Sequence, residues 1–171
     1  MENTKLIISR RLIIRKFEED DLNKEMEFFK EPKFYYLSDK YKPKEFIEDI
    51  NLAYENKSGI NFWHIVKQGI NESIGCIKAV KHEDGVRIYP IINKSLRNRG
   101  YGKEAFEAVM DYFFTLGGYK KVYAKLNKKN NAFKTIVESL TLKKYDEDEK
   151  YFYYQINNLD YMKFFAIFGE I

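Results

Sequence analysis

Arg97, Arg99 and Lys103 surround Gly100 and Gly102 in the stretch "SLRNRGYGKEAF", Ser95 to Phe106. From about Gly102 the apolar pattern is helical, and a helix start normally favours acidic neighbours. Cations and glycines gathered at that point suit an anion. Glycine lets the backbone approach a ligand closely. The free N–H groups of a first helical turn then point at it, and the helix dipole adds favourable potential.

Two familiar phosphate loops do not fit. A Walker-type loop needs Ser or Thr after Gly-Lys, to hold magnesium. Here Gly102-Lys103 is followed by Glu104. Gly100 to Ala105 does spell the dinucleotide pattern G-x-G-x-x-A. That pattern wants a strand running straight into the first glycine and a ribose-binding acid about 20 residues on. The polar stretch Asn93 to Arg99 intervenes, and no acid lies between Asp111 and Glu138. A glycine turn with solvated basic residues, and an anion cradle built on Arg97-x-x-Gly100-x-Gly102, remain.

The elements around the loop read as an α/β chain. "RRLIIRKF", ending at Phe17, reads as a strand. "EEDDLNKEMEFFKEP" has acids at its start and Leu22, Met26 and Phe29 at helical spacing, with Pro32 closing it. In "KPKEFIEDINLAYEN", Pro43 suits a first turn, and Phe46, Ile50 and Ala53 form a stripe. Three strand signals follow, "NFWHIVK", "SIGCIKAVK" and "VRIYPII", the last two joined by an Asp84-Gly85 turn. After the loop come a helix to about Leu116, the strand "KKVYAKL", the helix "NNAFKTIVESL", a further strand over Leu142–Tyr145 and the aromatic strand "EKYFYYQI". The apolar end "LDYMKFFAIFGEI" is open between packing on the sheet and a homodimer contact. The order predicts one domain over residues 1–171, with a mixed, mostly antiparallel sheet of about six or seven strands and about four helices.

"RNRGYG", between an Ile-rich strand and an amphipathic helix, resembles the acyl-CoA signature of the GNAT superfamily of N-acyltransferases, Gln/Arg-x-x-Gly-x-Gly/Ala. The element order is similar to that family's over nearly the whole chain. "SRRLIIRKFEEDDL" and "NKKNNAFKTIVESLTL" resemble the subgroup of ribosomal-protein N-terminal and polyamine acetyltransferases. The resemblance implies acetyl-CoA as co-substrate, with Ile91, Ile92, Asn93, Arg97, Asn98, Arg99, Gly100, Tyr101, Gly102, Lys103 and Asn130 holding it. It implies that the strand over Val86–Ile92 splays from the strand over Lys121–Lys125 to admit the pantetheine arm. A backbone N–H near Ile91 or Ile92 would then face the oxyanion. Pro90 suits such a bulged strand, or merely shortens it.

The catalytic half departs from the family. Relatives carry a tyrosine where Val137 stands and a glutamate where Arg87 stands. Phe133 replaces Ser/Ala, and Thr141-Leu142 replace Gly-Phe. No general acid or base is therefore assigned. Tyr145 is a candidate acid, with Tyr151, Tyr153 and Tyr154 as alternatives. His64, on the Phe62 and Val66 face of its strand, is either a packed histidine or a base, and Arg87 is placed to pair with an acceptor carboxylate. His82, beside Glu83 and Asp84, reads as solvated; Cys76 reads as a small strand residue.

A site without a strong base favours an acceptor that deprotonates easily. A lysine-like amine of pKa about 10.4 costs about 4.6 kcal/mol to deprotonate at pH 7, whereas an α-amine near 7.8 costs about 1 kcal/mol. The expected acceptor is a primary amine, an α-amine of a peptide or small amino compound. "DEDE", Asp146 to Glu149, is open between a solvated turn and a lure for a polyamine. A non-catalytic acyl-CoA sensor is the alternative from another class.

Bulk properties agree. The chain has 171 residues, 44 % hydrophobic and 33 % charged, with a net charge of +4 that does not call for nucleic acid. One cysteine excludes an internal disulfide framework and a multi-cysteine metal site, and no metal is expected. No apolar run suits a signal peptide or a membrane span, so a cytoplasmic protein is expected.

Overall fold

The computed structural model describes residues 5–18, 20–22, 42–55 and 59–168. Strands β1 (Ile7–Ile8) and β2 (Leu12–Arg15) come first. Helix α1 spans Pro43–Tyr54, and strands β3 (Ile60–Lys67), β4 (Ser73–His82) and β5 (Gly85–Ile92) follow. Beyond a short turn of 3-10 helix at Lys94–Leu96 come α2 (Tyr101–Thr115), β6 (Lys121–Asn127) and α3 (Asn131–Ser139). Strands β7 (Lys143–Glu147) and β8 (Tyr151–Asn157) and helix α4 (Asn158–Phe168) complete the order. The helix expected between Glu18 and Pro32 lies outside the described residues except for Asp20 to Leu22, which are helical.

Local chemistry explains the ends. Pro43 opens α1, and the Glu45 carboxylate accepts the Lys42 N–H at 2.9 Å. Phe46, Ile50 and Ala53 are its buried stripe, as their spacing predicts. Helix α3 ends in a Schellman turn. The Leu142 N–H donates to the Val137 carbonyl and the Thr141 N–H to the Glu138 carbonyl, both at 3.0 Å, with Thr141 at φ +62°.

The strands form one sheet in the order β1-β2-β3-β4-β5-β6-β8-β7. All neighbours are antiparallel except β5 and β6, which run parallel. The expected strand count falls short by β1, whose two residues are too few to show a period. One sheet face packs on α2 and α3 through Ile88, Val109, Val122 and Val137. The other packs on α1 through Phe46, Phe62, Cys76 and Ile91.

The join between β5 and β6 is short. Only Val86↔Val122 and Arg87↔Tyr123 are in register; β4 stays paired with β5 as far as Ile92. The sheet is therefore split from Ile88 onward, where the splay was expected. Pro90 falls in that split, where β6 has no ladder bond for it to break.

Candidate functional site

A cleft of about 470 Å³ opens beside the split. Pro90 and Ile92 of β5 form one wall, and Ala132, Phe133, Thr135 and Ile136 of α3 another. Its polar end is the loop Arg97–Gly100 and the first turn of α2.

That turn is built to be open. Gly100 precedes the helix at φ +81°, a left-handed conformation, and no side chain caps the helix. The first intrahelical bond is donated by the Glu104 N–H to the Gly100 carbonyl, at 3.1 Å. The N–H groups of Tyr101, Gly102 and Lys103 are therefore free of helical partners. A Cβ on Gly102 would lie 3.2 Å from Ile136 Cδ1 and 3.3 Å from Ile92 Cγ1, so glycine keeps this end of the cleft clear.

Most of the expected coenzyme residues converge here. Ile92, Arg97, Asn98, Gly100, Tyr101, Gly102, Lys103 and Asn130 all line the cleft. Asn130 caps α3 by accepting the Phe133 N–H at 3.0 Å. The Arg97 Nε donates to the Ile92 carbonyl at 3.0 Å, tying the loop to the end of β5. Three expected residues are placed elsewhere. The Ile91 side chain is 1 % exposed and packs on the opposite face, under α1. Asn93 pins β5 to β4, its side-chain amide donating to the Ser73 carbonyl at 3.0 Å. Arg99 offers the loop its carbonyl, which accepts from Arg11 at 3.1 Å. The main chain still bears on the oxyanion expectation. The Asn93 N–H donates to the Ile74 carbonyl. Strand alternation then turns the Ile91 N–H toward β4 and the Ile92 N–H toward the split.

Arg11 is a residue the sequence did not reveal. Its Nε donates to Glu104 Oε2 at 2.7 Å and its guanidinium lies 4.5 Å from the Tyr101 ring centre. The Ser9 hydroxyl and the Arg11 N–H also donate to Glu104. Burial alone would raise the Glu104 carboxyl, but these bonds outweigh it and hold its pKa below the usual 4.5. One carboxylate thus ties β2 to the cradle. A contact between residues 93 positions apart leaves no local sequence signal. Phe133 and Ile136, also missed, show only as the apolar face of α3.

The catalytic candidates divide. His64 lies on β3, two strands from β5, and is 1 % exposed. Its Nδ1 is 3.1 Å from Asp21 Oδ2 and its Nε2 is 3.1 Å from the Ser73 hydroxyl, so the base reading gives way to the packed one. Val137 is fully buried in the core. Arg87 and Tyr145 do share a place, the face of the split opposite the cleft. There Arg87 Nη2 donates to His82 Nε2. His82 is therefore not merely solvated. Its ring stands edge-on to Tyr123, centroids 4.8 Å apart. Tyr145 falls at a bulge in β7, which re-aims its ring to 6.0 Å from Tyr123 and 6.3 Å from Tyr153.

The hydroxyls on this face are unequal. Tyr123 donates to Asp84 at 2.6 Å and Tyr153 to Asp148 at 2.7 Å. The bond to Asp148, with burial, pushes the Tyr153 hydroxyl up to about 12. Burial raises Tyr89 as well, while Arg87 works to lower it. Tyr154 faces the other side, donating to Glu138 at 2.8 Å. Among the described residues no cluster of three or more His, Cys, Asp or Glu could hold a metal. No helix among them is long and apolar enough to cross a membrane.

Comparison with known proteins adds an independent finding. The family described as "Acetyltransferase (GNAT) domain" matches residues 11–143. An acetyltransferase of the GNAT family from Bacillus anthracis superposes with a TM-score of 0.77 at 20 % identity, over 91 % of this chain and 99 % of that one. A structure described as a ribosomal-protein-serine acetyltransferase from Vibrio cholerae superposes at 0.74 and 12 % identity, over 92 % and 99 %. A ribosomal L7/L12 alpha-N-protein acetyltransferase in complex with coenzyme A gives 0.74 at 15 % identity, over 90 % and 98 %. No curated protein matches the chain. These likenesses show a shared fold, and the match over residues 11–143 shows that the chain belongs to the GNAT family of acyl-CoA-dependent acetyltransferases.

Proposed function

We propose that this protein is an N-acetyltransferase that moves an acetyl group from acetyl-CoA to a primary amine by direct attack in a ternary complex. One observation carries the reading: the split beside Pro90 joins the uncapped start of α2 to a face bearing polar side chains. The residues fit the coenzyme. Three free N–H groups, Lys103 and a glycine-cleared wall suit a pyrophosphate, and the apolar sides suit a pantetheine arm. When bound, acetyl-CoA supplies a thioester whose carbonyl carbon accepts the amine and whose thiolate leaves.

The chain's own part is to place and polarise. Gly100, Tyr101, Gly102 and Lys103 would hold the phosphates, Asn130 and Phe133 the arm, and the Ile92 N–H would donate to the developing oxyanion. Tyr123 and Tyr153 are committed to Asp84 and Asp148, whereas Tyr89 and Tyr145 have no carboxylate partner among the described residues. Either could protonate the leaving thiolate. Among the described residues, His82 on this face already accepts from Arg87 and is not poised as a strong base. An acceptor with a readily deprotonated α-amine follows.

Thiol release from acetyl-CoA over a panel of peptides, small amines and spermidine tests the reading. Transfer to at least one amine with saturable kinetics is the expected result. Coenzyme A binding with no transfer to any member would favour the sensor instead.

A further inference from the structure

Arg87 stands half-buried on the acceptor face. Arg87 makes no ion pair with a carboxylate among the described residues. Its hydrogen bond goes to the neutral acceptor His82, and its Nε is buried without a partner. Of the acids nearby, Glu83 is exposed and stands 3.6 Å from His82 Nε2 without an ion pair to Arg87, and the next ones are engaged elsewhere. Asp84 accepts from the Tyr123 hydroxyl and pairs with Lys121 at 3.0 Å. Asp148 accepts from the Tyr153 hydroxyl and from the N–H groups of Lys150 and Tyr151. Glu147 pairs with Lys144 at 2.7 Å and Lys128 at 3.5 Å, and Asp146 accepts the Glu147 N–H. A partly buried guanidinium left with spare donors calls for an anion, because an unpaired charge away from water is costly.

Strand geometry supplies a ruler. Ile92, whose N–H faces the split, stands five residues beyond Arg87 on β5. At about 3.3 Å per residue that is roughly 16 Å between the two backbones, a span the peptide shares with the acid and arginine side chains that would meet on it. A free amino acid, with its amine and carboxylate two bonds apart, cannot span it. An extended peptide advances about 3.3–3.6 Å per residue, so its α-amine reaches the split while a side chain at its third or fourth residue reaches Arg87.

We infer that Arg87 is an anion-recognition residue of the acceptor site, and that the acceptor is a peptide α-amine with a carboxylate at its third or fourth residue. His82 holds the guanidinium on that face. The inference rests on the transferase reading and names its acceptor. It also weighs against the polyamine alternative, since the second cation of a polyamine would meet Arg87.

The test uses the whole protein and tetrapeptide amides, Ala-Ala-Xaa-Ala and Ala-Ala-Ala-Xaa, with Asp, Asn or Lys at Xaa. Thiol release gives kcat and KM for each, and calorimetry gives their binding to the coenzyme A-loaded protein. We expect the better Asp peptide to show a KM at least tenfold below its Asn partner, with kcat within about twofold. Arg87→Met should erase the difference, and Arg87→Lys should keep part of it. If Arg87→Met fails to fold, the Asp-to-Asn ratio in the unsubstituted protein and in Arg87→Lys decides. Equal KM values for Asp and Asn with good turnover would overturn the inference and leave the transferase standing. Asp-selective binding that depends on Arg87, without turnover, would uphold the recognition role and overturn the catalytic reading. Failure of every peptide to bind would overturn the inference.

Discussion

At the residue scale, the pair His82–Arg87 is an observable handle on the acceptor face. Burial, and then the charge of Arg87, hold the His82 pKa below its ordinary 6.5, against weaker opposing pulls from Glu83 and Asp84. The unfolded chain therefore takes up this proton first, and stability falls as pH drops through about 6.5. Removing the charge should reverse part of this. In Arg87→Met the imidazole should titrate at higher pH than in the parent, and the acid loss of stability should shrink. NMR titration of the His82 ring checks it; an unchanged midpoint would mean that burial alone sets the value. Thr141 offers a second handle. It is a β-branched residue in the left-handed position of the Schellman turn, where the resembled family has glycine. Thr141→Gly should stabilise the fold by about 1 kcal/mol, read as a raised midpoint in urea. This strain is half legible in sequence. A reader sees that Thr141 replaces the family's glycine, but only the backbone shows that the conformation was kept.

At the element scale, the cradle is a helix start whose two glycines do different work. Gly100 needs its left-handed φ, so a valine there strains the backbone and confounds folding with binding. Gly102 has helical geometry, and a Cβ there meets only the ends of the Ile136 and Ile92 side chains. Alanine also favours a helix interior over glycine by about 1 kcal/mol. Gly102→Ala, the residue the signature itself admits here, should therefore hold or raise the melting temperature and keep coenzyme A binding, whereas the bulkier Gly102→Val should weaken binding at least tenfold by narrowing the cleft. Calorimetry beside thermal melting separates the two variants; undiminished affinity in the valine variant would count against the cradle. The elements themselves were legible because periods of two and near four, broken by Gly, Pro and Asn, survive in one dimension. Arg11 was not, because Glu104 bonds it across 93 positions. Tyr145 was legible only as a candidate. Its approach to Tyr123 depends on a bulge that no local pattern announces. How far the acids of "DEDE" are engaged was not legible, since engaged and free carboxylates look alike in sequence.

At the scale of the whole molecule, the fold holds a deliberate weakness. A sheet of eight strands among the described residues is joined at its middle by only two register pairs, Val86↔Val122 and Arg87↔Tyr123. Helices α2 and α3 bridge the halves on one face through Val109, Phe133 and Val137. The split can stay open for a ligand only because its closed end is held tightly. Gly85 marks that end: a Cβ there would lie 2.3 Å from the Lys121 carbonyl oxygen and 2.8 Å from the Tyr123 ring. The first obstacle is backbone, so it cannot rotate away as a side chain would. Gly85→Ala must push β6 from β5, shift Tyr123 against His82, and spread the seam toward Pro90. Overpacking of this kind costs about 1–3 kcal/mol. We expect a loss of that size in urea unfolding, faster hydrogen exchange at Val86, Arg87, Val122 and Tyr123, and weaker coenzyme A binding although Gly85 does not line the cleft. If stability falls while exchange at the seam and coenzyme affinity hold, the closed end does not set the width of the split, and α2 and α3 alone must do so.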